Sequence, residues 1–258
     1  MKNLIVVLLL FFITLTSFKK EQQEEGQELK GLVVILDPGH GGLDNGAHGY
    51  FGQDKTKIIE SVYCYDIALR LESLLIKKGA IVYKTINNLQ IKPINYEYND
   101  FIKRDTNSVF SYDGTRAVSG LIGLSKRVEY ANNKLLIYPD SKIVYISIHF
   151  DKLPNTIYGT RIIIGNSSTK LANCLKDEFK KENFLTNHKF SILYNGDKTK
   201  GIKNLIVLRN TNKIKEKVLI ELGNFNHEND LNRLVDCQGR DEYANIICKS
   251  LVVFMNNE

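Results

Sequence analysis

The run Leu32-Val33-Val34-Ile35-Leu36 is unbroken, apolar and of strand length, and it stops abruptly at Asp37-Pro38-Gly39-His40-Gly41-Gly42. A strand without polar alternation is buried on both faces, as strands inside a parallel sheet are. The proline and glycines that follow fit neither helix nor regular strand. The first strand therefore ends in a loop at its carboxyl end. From about Ile58 to Lys77, apolar residues recur at helical spacing, with Ile58, Val62, Tyr65 and Leu69 sharing one face. Gly79 supplies a stop, and Ala80 to Thr85 reads as the next strand. Strand, helix, strand opens a parallel α/β sheet.

Further along, the pattern predicts a helix at about Leu124 to Lys134 and strands at Ile143 to Ile148 and Tyr158 to Ile164. A helix at about Thr169 to Glu182 follows, then strands at Leu205 to Leu208 and Lys217 to Glu221. Helical patterns at Asn229 to Val235 and Glu242 to Phe254 close the chain. Residues 87–122 have no clear period and carry Tyr96, Tyr98, Phe101, Phe110 and Tyr112. A stretch this long is a functional lid, a docking site for an activating partner, or a disordered loop. The expectation is a single α/β domain over 31–258, with a mostly parallel twisted sheet flanked by helices and an irregular insertion at about 87–122. A length of 258 residues suits that, and 43% hydrophobic with 25% charged residues excludes disorder of the whole chain.

The amino terminus has a different character. Lys2 precedes an apolar run from Leu4 to Phe12 that continues, with small polar interruptions, to Phe18; Lys19 and Lys20 then open a charged stretch. That is the layout of a secretory signal, so 1–18 reads as a signal peptide or an uncleaved anchor and 19–30 as a linker. Export to the periplasm or cell envelope is expected, with membrane contact only through an uncleaved N-terminal segment. No cysteine follows the run, so a lipid anchor is not indicated. The net charge of +6 suits a polyanionic partner, but the Lys and Arg residues form no dense block, and nothing beyond charge supports nucleic acid. Cys64, Cys174, Cys237 and Cys248 match no metal-knuckle or CxxC spacing, and no disulfide is assigned.

In open parallel sheets, ligand sites collect beyond the carboxyl ends of the strands. His40 follows the first strand, His149 closes Val144 to Ile148, and Glu221 closes Val218 to Ile220. Each alone has an ordinary structural explanation, and Glu60, in the first turn of the long helix, is favoured there by the helix dipole. Together they are the inventory of amide hydrolysis. Two histidines and one carboxylate make an open zinc site whose fourth position takes water, lowering its pKa to about 7. A second carboxylate can then carry the proton to the leaving amine.

The segment Val34 to Gly42, with Asp44, Gly46 and Ala47, resembles the opening motif of the zinc N-acetylmuramoyl-L-alanine amidases, the type 3 cell-wall amidases. The resemblance continues in order through Glu60 with Ile67-Ala68-Leu69-Arg70-Leu71, Leu124-Ser125-x-Arg127 with Ala131-Asn132, Ser147-Ile148-His149, Val207-Leu208-Arg209-Asn210, and Val218 to Gly223. It implies His40, Glu60 and His149 as zinc ligands and Glu221 as general base. It also implies peptidoglycan as substrate, cut between N-acetylmuramic acid and L-alanine; an activator protein enters as a partner only through the reading of 87–122 as a docking site. Phe150 and Asn224 depart from the family pattern at positions expected to reshape the cleft. The alternatives are a zinc peptidase cutting elsewhere in the stem peptide, a non-catalytic wall-binding or regulatory module, and a structural envelope protein without zinc. His48, His188 and His227 read as surface histidines. The GHGG segment lacks the spacing of a phosphate loop.

Overall fold

The structure is a computed structural model that describes residues 26–88, 107–165, 168–181 and 189–257. The segment 1–18, most of the 19–30 linker, the centre of the insertion and His188 lie outside the described residues.

The strands are β1 (Leu32–Pro38), β2 (His48–Phe51), β3 (Thr56–Ile59), β4 (Ile81–Lys84), β5 (Ile86–Asn87), β6 (Val109–Phe110), β7 (Lys142–Asp151), β8 (Thr160–Ile164), β9 (Phe190–Tyr194) and β10 (Glu216–Asn224). The α-helices are α1 (Glu60–Lys77), α2 (Gly120–Ile137), α3 (Thr169–Lys181), α4 (Glu228–Val235) and α5 (Cys237–Asn256). Six strands form one sheet in the order β4-β1-β7-β10-β8-β9. The first four are mutually parallel, β8 runs antiparallel to β10, and β9 is parallel to β8. The expected mostly parallel sheet is thus present, with two reversed strands at one edge.

Alternate residues of the central strands feed two cores. Val34, Leu36, Ile146, Ile148, Val218 and Ile220 pack under α1, α3 and α5. Val33, Ile35, Tyr145 and Leu219 pack on the other face under Val128 and Ala131 of α2. This explains the unbroken apolar run in β1, because every position there faces one core or the other.

Several expectations need correction. Leu205 to Leu208 is not a strand; Ile206–Leu208 is one turn of 3-10 helix whose Val207 and Leu208 cap the second core. The edge strand β9 and the β2–β3 hairpin were not anticipated. Helix α2 begins at Gly120, so the insertion is not irregular throughout. Its ends pair as β5 and β6, and Phe110 is buried. Residues 26–30 are packed on the domain rather than forming the end of a tether. Leu29 is fully buried, its N–H donates to the Lys78 carbonyl at 2.8 Å, and Glu28 pairs with Lys78 at 2.6 Å. No helix among the described residues is long and apolar enough to cross a membrane.

Candidate metal centre and its cleft

The exits of β1 and β7 lie side by side, because Pro38 pairs with Ile148 and the Gly39 N–H donates to the Ile148 carbonyl at 2.9 Å. A Cβ at Gly39 would stand 2.5 Å from Cε1 of His149, so only glycine lets the β1 exit pass the imidazole. The chain then enters a left-handed conformation at His40, φ 63°. A non-glycine residue holds that conformation only when its surroundings enforce it. Here Arg127 of α2 does so. Its guanidinium donates to the Pro38 carbonyl at 2.8 Å and to the His40 carbonyl, and pairs with Asp37. Asp37 also accepts from Ser147 Oγ at 2.6 Å and Thr85 Oγ1 at 2.5 Å. Burial pushes Asp37 up, but the Arg127 charge and the hydroxyl donors outweigh it and hold its carboxyl below the usual range.

Glu60 is the first residue of α1 and is almost wholly buried. Its two oxygens divide the work. Oε2 meets His40 Nε2 at 3.1 Å and accepts from the Ala47 N–H at 2.6 Å. Oε1 meets His149 Nδ1 at 2.9 Å and accepts from the Phe150 N–H at 3.1 Å. Burial opposes its charge, yet the bonds to both histidines prevail and hold its pKa far below the usual carboxylate range. His40 Nδ1 is backed by Asp44 at 3.0 Å. Burial lowers the His40 pKa, but Asp44 and Glu60 reverse that and raise it to about 10. Gly46, at φ 69°, closes the shell; a Cβ there would stand 2.5 Å from the His40 ring and 2.6 Å from Glu60 Oε2.

One donor atom each from His40, Glu60 and His149 lies within 4.8 Å of the others. Two imidazoles and a carboxylate at this separation fit an open, three-ligand metal site of the zinc type. The Asp44 contact supplies the carboxylate that such sites place behind a ligating histidine.

Glu221 sits beside this cluster. It pairs in register with His149 on one side and Arg161 on the other. Its Oε2 is buried without a hydrogen-bond partner. Burial and the neighbouring carboxylates Asp151 and Glu60 push its pKa well above the usual value, against Arg161 and His40. Asp151 is itself pushed up to about 6, by burial first, despite its 2.8 Å contact with Arg161. A cavity of about 300 Å³ opens onto the cluster, lined among others by His40, His149, Leu124, Leu219, Lys203 and Arg209.

All four residues singled out from the sequence thus gather at the carboxyl ends of β1, β7 and β10 and the start of α1. Sequence reasoning gave no role to Asp44, to the Asp37–Arg127 clamp, or to Asp151 with Arg161. The four-residue step from His40 to Asp44 was the available signal for the first. Phe150 and Asn224 do not line this cavity. Phe150 is buried against Phe225 and Tyr243. Asn224 braces the following loop, its side-chain amide donating to the Leu153, Pro154 and Ile157 carbonyls. His227 is stacked on Tyr158 at 4.3 Å rather than solvated, and His48 stands outside the cluster. The four cysteines are free.

A parallel α/β sheet that gathers a His–Glu–His cluster and a half-buried glutamate towards its strand ends has the build of a metal-dependent hydrolase. The chain belongs to the Amidase_3 family, described as N-acetylmuramoyl-L-alanine amidase, whose pattern matches residues 34–252. It is 24% identical over 234 residues to the germination-specific N-acetylmuramoyl-L-alanine amidase of Bacillus subtilis, covering 89% of this chain and 82% of that protein. It is 26% identical over 220 residues to an uncharacterized cell wall amidase of Bacillus anthracis, covering 85% of this chain but only 34% of that longer protein. Among solved structures, the CwlD amidase of Clostridioides difficile in complex with the GerS lipoprotein superposes with a TM-score of 0.59 at 20% identity, covering 88% of this chain and 99% of that one.

Proposed function

We propose that this protein hydrolyses the amide bond between N-acetylmuramic acid and the L-alanine of the peptidoglycan stem peptide, with zinc held by His40, Glu60 and His149 and with Glu221 as general base. The observation that carries the reading is the buried Glu60 carboxylate, one oxygen on each histidine, in a chain of the amidase family. Zinc held there would supply Lewis acidity towards the scissile carbonyl and a nucleophile available near neutral pH.

The chain's own residues have separable tasks. Asp44 fixes the His40 ring so that Nε2 faces the cluster. Arg127 and Asp37 hold the loop from which His40 projects. Glu221, with an unpartnered buried oxygen and a raised proton affinity, is suited to take a proton from the attacking water and deliver it to the leaving amine. The secretory pattern at 1–18 supports action outside the cytoplasm, in the cell envelope. The GerS complex of the CwlD amidase supports a partner protein for this chain too.

The test is mass spectrometry of the products formed from intact peptidoglycan, with and without a chelator. Stem peptides beginning with a free alanine, abolished by chelation and restored by zinc, are expected. Shorter peptide fragments would move the assignment to a peptidase, and no products from zinc-loaded protein, with any activator supplied, would leave a wall-binding role.

A further inference from the structure

The cleft carries a charge imbalance that the metal site does not use. Of the charged side chains lining the 300 Å³ cavity, Asp37 is paired with Arg127 and Asp44 with His40. Lys203 and Arg209 remain. Both are exposed, and neither forms an ion pair among the described residues. They flank the 3-10 turn Ile206–Leu208, whose buried Val207 and Leu208 seat it in the core under α2. Their backbone is therefore anchored although their side chains face the open cavity.

Arg209 is also oriented. Its Nε and Nη2 donate to the Asn204 carbonyl at 3.2 and 2.6 Å, and Nε also reaches Asn204 Oδ1 at 3.1 Å. One edge of the guanidinium is thereby held by neutral groups, and Nη1 has no acceptor among the described residues. Asn204 and Arg209 also line a second cavity of about 400 Å³, with Asn195, Asn210 and Thr211. Arg209 thus stands where the cavity at the metal cluster meets a polar one. A planar guanidinium held on one edge, open on the other and lacking a counter-ion is a receptor for a carboxylate.

We propose that Lys203 and Arg209 bind a free carboxylate of the stem peptide, so that the cleft selects acidic over amidated stems. The scissile end lies at His40 and His149, the carboxylate rests at Arg209, and the peptide continues into the asparagine-lined cavity, whose side chains suit backbone amides. This rests on the amidase reading and gives it a substrate class.

Two synthetic N-acetylmuramoyl-L-alanyl-glutamyl peptides, differing only in a carboxylate or a carboxamide on the glutamyl residue, test it with the zinc-loaded full chain. The carboxylate substrate is expected to have a KM lower by about tenfold or more at similar kcat, the size of one charge-assisted hydrogen-bonded contact. Arg209→Gln should bring the ratio of the two KM values towards one and Arg209→Lys should restore part of it; Lys203→Gln should lower it independently. Lys198→Gln, outside both cavities, should leave it unchanged. Calorimetric binding of the two free stem peptides to the metal-free protein should show the same preference, weakening with salt. Equal KM values on the two substrates, or a ratio that survives both Arg209→Gln and Lys203→Gln, would overturn the proposal. If neither substrate is cut, the amidase reading fails, and carboxylate-selective binding to the metal-free protein still decides the inference.

Discussion

Glu60 is buried and Glu221 is half-buried with one buried carboxylate oxygen, and their surroundings drive them in opposite directions. Two histidines and two backbone N–H groups hold Glu60 as a carboxylate, while burial beside Asp151 and Glu60 raises the proton affinity of Glu221. One is thereby suited to bind a cation and the other to exchange a proton. Glu221→Gln is expected to retain zinc, read by atomic absorption, and to lose about 10²-fold or more in kcat. His149→Ala should lose both; full activity in Glu221→Gln would contradict the assigned base. Asp37 gives the pH prediction. Its folded pKa lies below the unfolded value, so its pairing with Arg127 contributes stability above about pH 4 that is lost as pH falls through the folded pKa. Unfolding followed by denaturant between pH 5 and 2 should show that loss, and Arg127→Met should shrink it while costing about 3–5 kcal/mol at neutral pH. Of these residues, the sequence exposes those that are chemically scarce at strand ends. His40 and His149 stand out because little else there can bind a metal. Asp37 does not, because its partners lie 48, 90 and 110 residues away, and no local spacing announces them.

At the scale of elements, α1 is held at one end by the metal cluster and along its length by α5. Arg240 of α5 is fully buried, donates to Asp66 of α1 at 2.6 Å and caps the end of α4 through the Leu234 and Val235 carbonyls. Arg70 closes the network on Asp66 at 2.8 Å. Removing one partner of a buried charge group leaves the other uncompensated. Arg240→Ala should therefore cost about 3–5 kcal/mol and lower Tm by roughly 10 °C in a chain of this size. The fraction that stays folded should keep its zinc, which separates this effect from damage to the site. The elements themselves were legible where burial is complete. β1 is apolar from Leu32 to Leu36, β7 and β10 carry the apolar runs Ile143 to Ile146 and Val218 to Ile220, and α1 is amphipathic. Two failures have separate causes. Leu205 to Leu208 has the composition of a strand, but its residues bury themselves by covering the sheet, without pairing. β9 is an edge strand with half-exposed residues, so its alternation is diluted.

For the molecule as a whole, the folded unit reaches back past Gly31. Leu29 fills a place in the larger core, next to the end of α1. Leu29→Ala should cost about 2–5 kcal/mol, and a chain starting at Gly31 should be destabilised similarly against one starting at Gly26. Equal denaturation midpoints for the two chains would show that the segment is dispensable. The charged composition of this stretch concealed its one buried leucine, and so it resembled a tether. The sheet order has a last consequence, which concerns time. Pairings between residues far apart in the chain form late, because loop closure must precede them. His40, Glu60 and His149 lie on β1, α1 and β7, whereas Glu221 follows about seventy residues after His149, on a strand that must still find β7. The three residues that could hold a metal therefore precede in the chain the one proposed to move the proton. On the assignment proposed above, the cluster can assemble from β1, α1 and β7 alone, whereas the carboxylate that moves the proton arrives beside it only once β10 has taken its place against β7.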